Sequence, residues 1–158
     1  MTGKVREQEA RPEILVRKME WDDVPDVAAL ERSIFSEPWT QRGFEQAIAM
    51  EQNLFLVAEE PDGPIAGYCG LYAAGDEGEI TNVAVSIKMR RQGIGETMLE
   101  EILKMAGEQG LSQIFLEVRE SNVGAICLYE KFGFEPCGRR INFYRWPDED
   151  ALCMRCEI

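Results

Sequence analysis

The sequence predicts a mixed α/β fold in which one sheet of about seven strands is flanked by about four helices. Three observations carry this expectation. Short runs of alternating apolar residues recur between segments with a helical apolar period. The changes of period fall at Gly-, Pro- and Asp-rich turns, and no repeat or low-complexity tract divides the chain. At 158 residues, with 45% hydrophobic and 29% charged, the chain has the size at which one core is the usual outcome. Residues 13–158 are therefore expected to form one domain. Residues 1–12, MTGKVREQEARP, carry no apolar period and read as a mobile tail that buries too little surface to offset the entropy of ordering it.

The elements follow in order. Ile14 to Met19 reads as a strand. Trp21 to Ser36 carries Val24, Val27, Leu30 and Ile34 near helical spacing, with Asp22 or Asp23 as its cap. Ser36-Glu-Pro-Trp39 is a loop, after which Thr40 caps a short helix with Phe44, Ala47 and Ile48 on one face. Asn53 to Glu60 and Ile65 to Ala73 are β-like and flank the turn Pro61-Asp-Gly-Pro64, so they form a hairpin. Glu79 to Ser86 supplies a further strand. Ile94, Met98, Ile102 and Met105 then mark a helix from about Gly93 to Gln109, ended by Gly110. Ile114, Leu116 and Val118 alternate as a strand, Asn122 to Phe132 suits a helix, and two strands follow Phe134 with a turn near Trp146-Pro147-Asp148.

Composition excludes several functions. A net charge of −12 disfavours nucleic acid and favours a basic partner. The chain has no histidine, which removes Ser-His-Asp and Cys-His catalysis and leaves carboxylates, Tyr, Lys, Cys or water to move protons. Cys69, Cys127, Cys137, Cys153 and Cys156 are odd in number and mostly sit in apolar stretches, so they read as free thiols. Cys153-Met-Arg-Cys156 has metal spacing but no second ligand pair, and no metal is expected. No apolar run approaches the roughly 20 residues of a membrane span and no signal-peptide core precedes the domain. A cytoplasmic protein without membrane contact, a monomer or weak dimer, is the expectation.

The most informative segment is Val83-Ala-Val-Ser-Ile-Lys-Met-Arg-Arg-Gln-Gly-Ile-Gly95: a strand, a basic loop and two glycines opening an amphipathic helix. Free N–H groups and the positive end of the helix dipole favour an anion there, and Lys88, Arg90 and Arg91 add positive charge. A dinucleotide fingerprint would need glycine where Met98 stands, and the Gly-Lys-Ser/Thr of a P-loop is absent. On these physics alone, an anion site and an ordinary Gly-rich helix start both remain open.

Arg90-Arg-Gln-Gly-Ile-Gly95 resembles the pyrophosphate loop, R/Q-x-x-G-x-G/A, of the GCN5-related N-acetyltransferases (GNAT). Leu116-Glu-Val-Arg-Glu-Ser-Asn122 and Ala125-Ile-Cys-Leu-Tyr129-Glu-Lys-Phe-Gly-Phe134 resemble the second half of that fold. Pro38-Trp39, Arg139-Arg140 with Tyr144, and Glu149-Asp-Ala151 further resemble the bacterial ribosomal-protein-alanine N-acetyltransferases, over about residues 14 to 156. The resemblance implies a mostly antiparallel sheet and acetyl-coenzyme A as cosubstrate, held by Val83, Ala84, Val85, Arg90, Arg91, Gln92, Gly93, Ile94, Gly95, Glu96, Asn122 and Tyr129. It further implies Glu117 as proton acceptor, Tyr129 as proton donor to the departing thiolate, and Trp39, Glu79, Tyr144 and the Glu149/Asp150 pair along a groove for a basic peptide or protein N-terminus.

Local chemistry leaves alternatives beside those roles. Strand alternation alone allows Glu117 to be a solvated carboxylate, and Tyr129 to be a core aromatic. Asn122, Ile126 and Tyr129, at helical spacing, would share one face. Cys127 is the covalent rival, with no basic partner to activate it. The acceptor implied is the N-terminal amine of an alanine-starting ribosomal protein, with lysine side chains or a small amine as the alternative. An inactive coenzyme A-binding module is the third reading, disfavoured by the presence of both Glu117 and Tyr129. The segment Asn142-Phe-Tyr-Arg-Trp-Pro departs from the Tyr-Tyr pair frequent in such proteins and leaves acceptor preference open.

Overall fold

The computed structural model describes residues 13–158; the tail expected over residues 1–12 lies outside the described residues. A seven-stranded sheet has the order β1-β2-β3-β4-β5-β7-β6, where β1 is Leu15–Lys18, β2 Leu54–Glu59, β3 Ile65–Ala74, β4 Glu77–Val85, β5 Gln113–Arg119, β6 Glu135–Tyr144 and β7 Glu149–Glu157. All neighbours are antiparallel except β4 and β5. The α-helices are α1 (Val24–Ile34), α2 (Gln41–Ile48), α3 (Ile94–Glu108) and α4 (Val123–Lys131). The mixed, mostly antiparallel sheet and its helices match the expectation, with boundaries that differ by a residue or two at most ends.

Two apolar clusters form on the two faces of the sheet. Strand alternation in β2 sends Leu54, Leu56 and Ala58 into the cluster with α3, and Phe55 and Val57 into the cluster with α1 and α2. Met98, Leu99 and Ile102 of α3 are fully buried against Ile114 and Leu116 of β5. Only the β4–β5 pair is parallel, and α3 is the helical crossover that such a connection requires.

The N-terminal helix differs from its expected form in two ways. Asp23 stands at the start of α1, but its carboxylate turns back to accept from the Glu20 N–H at 2.7 Å and pairs with Arg17 at 2.8 Å instead of capping the helix. Arg17 also pairs with Glu59 at 2.9 Å and so ties β1 to β2. The buried stripe of α1 is Val24, Val27, Ala28 and Glu31, whereas Leu30 and Ile34 are partly exposed.

Glu31 is a carboxylate only 1% exposed. It accepts hydrogen bonds from the Tyr68 hydroxyl and, at 3.1 Å, from the Trp39 N–H. The Tyr68 hydroxyl in turn accepts from the Asn82 side-chain amide at 3.4 Å. One buried acid thereby joins α1, β3, β4 and the loop carrying Trp39. Burial pushes its carboxyl above the usual carboxylate range, against the two hydrogen bonds, which lower it.

The sign of the resulting pH effect follows from linkage. The folded state binds this proton more tightly than the unfolded chain, so the contribution is full below the unfolded value of 4.5 and is lost as pH rises through the folded value. Urea-midpoint measurements across that range are expected to show the stability of wild type falling, relative to Glu31→Gln, as pH rises. Glu31→Ala, which strands both donors, is expected to cost about 2–5 kcal/mol.

Candidate active site

The site originates in the parting of β4 from β5. The two pair in parallel from Glu77↔Gln113 to Ile80↔Leu116. Beyond Ile80, β4 stays with β3 as far as Val85, while β5 continues along β7 to Arg119. A bulge coincides with the parting: Gly70 faces Asn82 and Leu71 faces Ile80, leaving Thr81 as the extra residue of β4, its hydroxyl donating to the Gly70 carbonyl at 3.3 Å. Bulges bend a strand and increase its twist, so the Val83–Val85 stretch diverges from β5 and leaves a cleft between them.

The start of α3 closes one end of that cleft. Gly93 adopts φ 78°, a left-handed conformation that favours glycine, and opens the helix. Gly95 faces Val83, Val85 and Leu128; a Cβ there would lie 3.6–3.8 Å from their side chains, so larger substituents would press on the cleft wall. The N–H groups from Arg91 to Glu96 make no hydrogen bond among the described residues, and the buried Gln92 Oε1 has no partner. Such a row of donors at a helix start fits a phosphate-bearing ligand. The side chains here are partly committed: Arg90 Nε donates to the Val85 carbonyl at 3.2 Å, Glu96 pairs with Lys131 at 2.8 Å, and Ile94 and Ala84 are buried in the core. Ile94 and Ala84 can therefore meet a ligand only through their backbone.

Across the parting lies a pocket of about 360 Å³ lined by Tyr72, Glu79, Glu117, Arg140 and Cys153 among others. Glu117 alternates with the buried Ile114, Leu116 and Val118 of β5 and so faces this pocket. Its carboxylate pairs with Arg140 Nε at 2.9 Å. Glu79 is raised above the usual carboxylate range by partial burial, then by the charge and hydrogen bond of Glu117, with Arg140 opposing. Tyr72, the cross-strand partner of Glu79, is raised by partial burial and by Glu79. Burial followed by the Glu117 charge pushes Tyr144 up to about 12, and the Arg119 guanidinium lies 4.5 Å from its ring.

Tyr129 of α4 is buried and packs edge-on against Phe134 at 5.7 Å. Its hydroxyl makes no hydrogen bond among the described residues. Burial pushes it well above its ordinary value, with smaller contributions from Cys69 and Tyr144. Tyr144 thus adds to the rise of Tyr129, as Glu117 adds to that of Tyr144. Trp39 is half-buried in the aromatic group of Phe44, Phe55 and Tyr72 and adjoins the acidic pocket through Tyr72.

Two expectations are corrected. Asn122 precedes α4 as its cap, its side-chain oxygen accepting from the Ala125 N–H at 3.2 Å; it is exposed where Tyr129 is buried, so the two do not share a helical face. Glu149 and Asp150, candidates for the peptide groove, are engaged internally. Glu149 accepts from Ser121 N–H at 2.6 Å and pairs with Arg119 at 3.2 Å, and Asp150 accepts from Asn142 N–H at 2.9 Å. No role for Arg140 could be read from its neighbours in the chain, because its pairing with Glu117 depends on the order β5-β7-β6. Glu31, by contrast, lies seven residues after Val24 on the helical period, a signal available in the sequence.

A model of the Acetyltransferase (GNAT) family matches residues 24–134 of the chain. The chain is 38% identical over 139 residues to a Bacillus subtilis (strain 168) relative named for [ribosomal protein bS18]-alanine N-acetyltransferase activity, covering 88% of this chain and 92% of the relative. It is 30% identical over 145 residues to the Escherichia coli (strain K12) [ribosomal protein bS18]-alanine N-acetyltransferase, covering 90% and 97%. The crystal structure of the ribosomal-protein-S18-alanine N-acetyltransferase from Escherichia coli superposes with a TM-score of 0.85 at 30% identity, covering 92% of this chain and 94% of that one.

The electrostatics of the acidic pocket are directly measurable. In carboxylate NMR titrations, Glu117→Gln is expected to bring the Glu79 midpoint down toward its ordinary value, and Arg140→Gln to raise it further, because Glu117 raises Glu79 and Arg140 lowers it.

Proposed function

Since the chain belongs to the acetyltransferase (GNAT) family, we propose that it transfers the acetyl group of acetyl-coenzyme A to the N-terminal amine of a protein. The alanine-starting ribosomal protein named for its relatives is the leading acceptor. The observation that carries this reading is the acidic pocket of Glu79 and Glu117, lying where β4 parts from β5 and beside the Tyr144–Tyr129 region.

The free N–H groups at the start of α3 and the basic Arg90 and Arg91 fit the phosphate-bearing part of coenzyme A. The Val83–Val85 backbone, freed from β5, fits its amide-containing arm as an added strand would. Asn122, exposed and with its amide nitrogen unpaired among the described residues, would be a further contact. Acetyl-coenzyme A supplies the activated acetyl thioester.

An α-amine has an ordinary pKa near ~8 and is mostly protonated at neutral pH. The acidic pocket attracts that ammonium, and Glu117, directly or through water, accepts its proton so that the nitrogen lone pair is free to attack. Arg140 holds the Glu117 carboxylate in place beforehand. Glu79 is raised above the usual carboxylate range by burial and by its Glu117 neighbour. A backbone N–H of the Val83–Val85 stretch polarises the acyl oxygen. Tyr129 stays protonated across the working range because burial raises it, and it is suited to deliver a proton to the departing sulfur. Transfer in a ternary complex needs no acyl-enzyme.

Glu79 of the acidic pocket and Trp39 of the neighbouring one would line the acceptor path, and Tyr144, raised in part by the Glu117 charge, is the third candidate. The chain's charge of −12 favours a basic peptide there.

Two basic peptides differing only in a free or blocked N-terminal alanine test the reading by thiol release and mass spectrometry. Acetylation of the free terminus alone is the expected result; modification confined to lysine side chains or small amines would replace the acceptor. Glu117→Gln is expected to lower kcat by about 10²–10⁴ at neutral pH and to flatten the acidic limb of the pH profile. For Tyr129→Phe, single-turnover chemistry is expected to slow by about 10²-fold or more. An unchanged rate would remove the proton-donor role.

A further inference from the structure

The acidic pocket gathers the carboxylates of Glu77, Glu79 and Glu117, and Arg140 is the only basic residue lining it among the described residues. Arg140 Nε lies 2.9 Å from Glu117 Oε2, so the carboxylate that faces the pocket already holds a cation. A guanidinium keeps its charge throughout the working pH range and does not give up its proton. It therefore leaves Glu117 only by moving, and while it stays it holds an oxygen to which a cationic ligand would pair.

Other arginines of the protein are held more firmly. Arg17, 28% exposed, meets both oxygens of Asp23 and both of Glu59. Arg119, 25% exposed, meets Glu149 and the carbonyls of Arg145 and Pro147. Arg140 meets one carboxylate through one nitrogen, and its side chain is 60% exposed. It stands at the end of a regular stretch of the edge strand: Arg140 pairs with Ala151, the next paired residue is Tyr144 opposite Glu149, and residues 141–143 bulge opposite Asp150. The exposed Phe143 of that bulge lies with its ring 5.6 Å from the guanidinium carbon, an attraction for the cation that does not depend on Glu117. Glu120 and Asp150, the carboxylates that could capture a guanidinium outside the pocket, are paired with Arg139 at 3.0 and 3.7 Å.

We propose that Arg140 is a displaceable plug: in the free protein its guanidinium takes the place of the acceptor ammonium on Glu117, and acceptor binding exchanges one cation for the other. Exchange keeps two like charges from sharing one small pocket. The proposal rests on the acetyltransferase reading of this pocket and adds to it a specificity-determining residue. An extended acceptor offsets the lost ion pair with contacts along the rest of its chain, whereas a small amine brings only its ammonium. Arg140 thereby discriminates against small amines.

Guanidinium chloride, at concentrations far below those that unfold proteins, is the probe, with sodium chloride at equal ionic strength as control. Carboxylate NMR is expected to show Glu117 responding to guanidinium in Arg140→Ala, and not in wild type or in Arg140→Lys, which keeps the charge. Equal responses in wild type and Arg140→Ala would overturn the plug. In steady-state kinetics with a basic peptide carrying a free N-terminal alanine, Arg140→Ala is expected to lower the peptide KM by about fivefold. The same variant is expected to gain in kcat/KM for ethylamine. An unchanged or raised peptide KM would overturn the plug. Guanidinium is expected to inhibit Arg140→Ala in competition with the peptide; activation instead would show that Arg140 only positions Glu117, and would also overturn it. If none of the three proteins acetylates any peptide or amine, guanidinium binding confined to Arg140→Ala still supports the plug, and the failure falls on the acetyltransferase reading alone.

Discussion

Strands β4 and β5 begin as parallel neighbours and separate after Ile80, and the candidate site is arranged around that separation. A parallel pair that stays together satisfies the backbone of both strands; one that parts leaves donors and acceptors on the inner edges. Thr81, the unpaired residue of the bulge, lies at the point of divergence. The helix start beyond β4 contributes more unpaired N–H groups of the same kind. Both ends of the proposed coenzyme path are thus made of main-chain groups that the fold has left without partners. That places little demand on side chains, in keeping with the burial of Ala84 and Ile94.

In the proposed mechanism, proton handling falls to groups with poor intrinsic reactivity at neutral pH, because the chain lacks histidine. The structure compensates through environment. Two carboxylates face one pocket with a single guanidinium on Glu117, and burial together with the Glu117 charge pushes Glu79 above the usual carboxylate range. Tyr129 and Tyr144 are raised by burial and stay neutral donors. The acidic surface that attracts a basic acceptor and the chemistry that deprotonates it draw on the same residue type.

The fold was legible where pattern is local. Alternation in β5 identified which side chains are buried and which face the pocket, and the Thr40 cap and the glycine-led helix could be read directly from their residues. The resemblance of the loop around Gly93 and of the Glu117 and Tyr129 segments pointed to the right family. What could not be read depended on long-range pairing. Arg140 meets Glu117 only because β7 lies between β5 and β6, and the parting of β4 from β5 leaves no mark in either strand's sequence. The helical face shared by Asn122 and Tyr129 and the capping role of Asp23 were misjudged for a related reason. A short polar side chain at a helix start can serve its own helix, a ligand or an ion pair, and the surroundings decide which.

The position of β7 has a consequence for assembly. Residues 149–157 form an interior strand, although they come after β6 in the chain, so among the described residues the backbone of β6 pairs with the sheet only through β7. During synthesis, everything up to β5 can emerge and collapse around α3 while β6 still has no neighbour to join. The guanidinium that will steady Glu117 therefore arrives last. Until β7 slots into place, the nascent chain is a half-built catalyst with an open sheet edge, exposed to mispairing and to proteases.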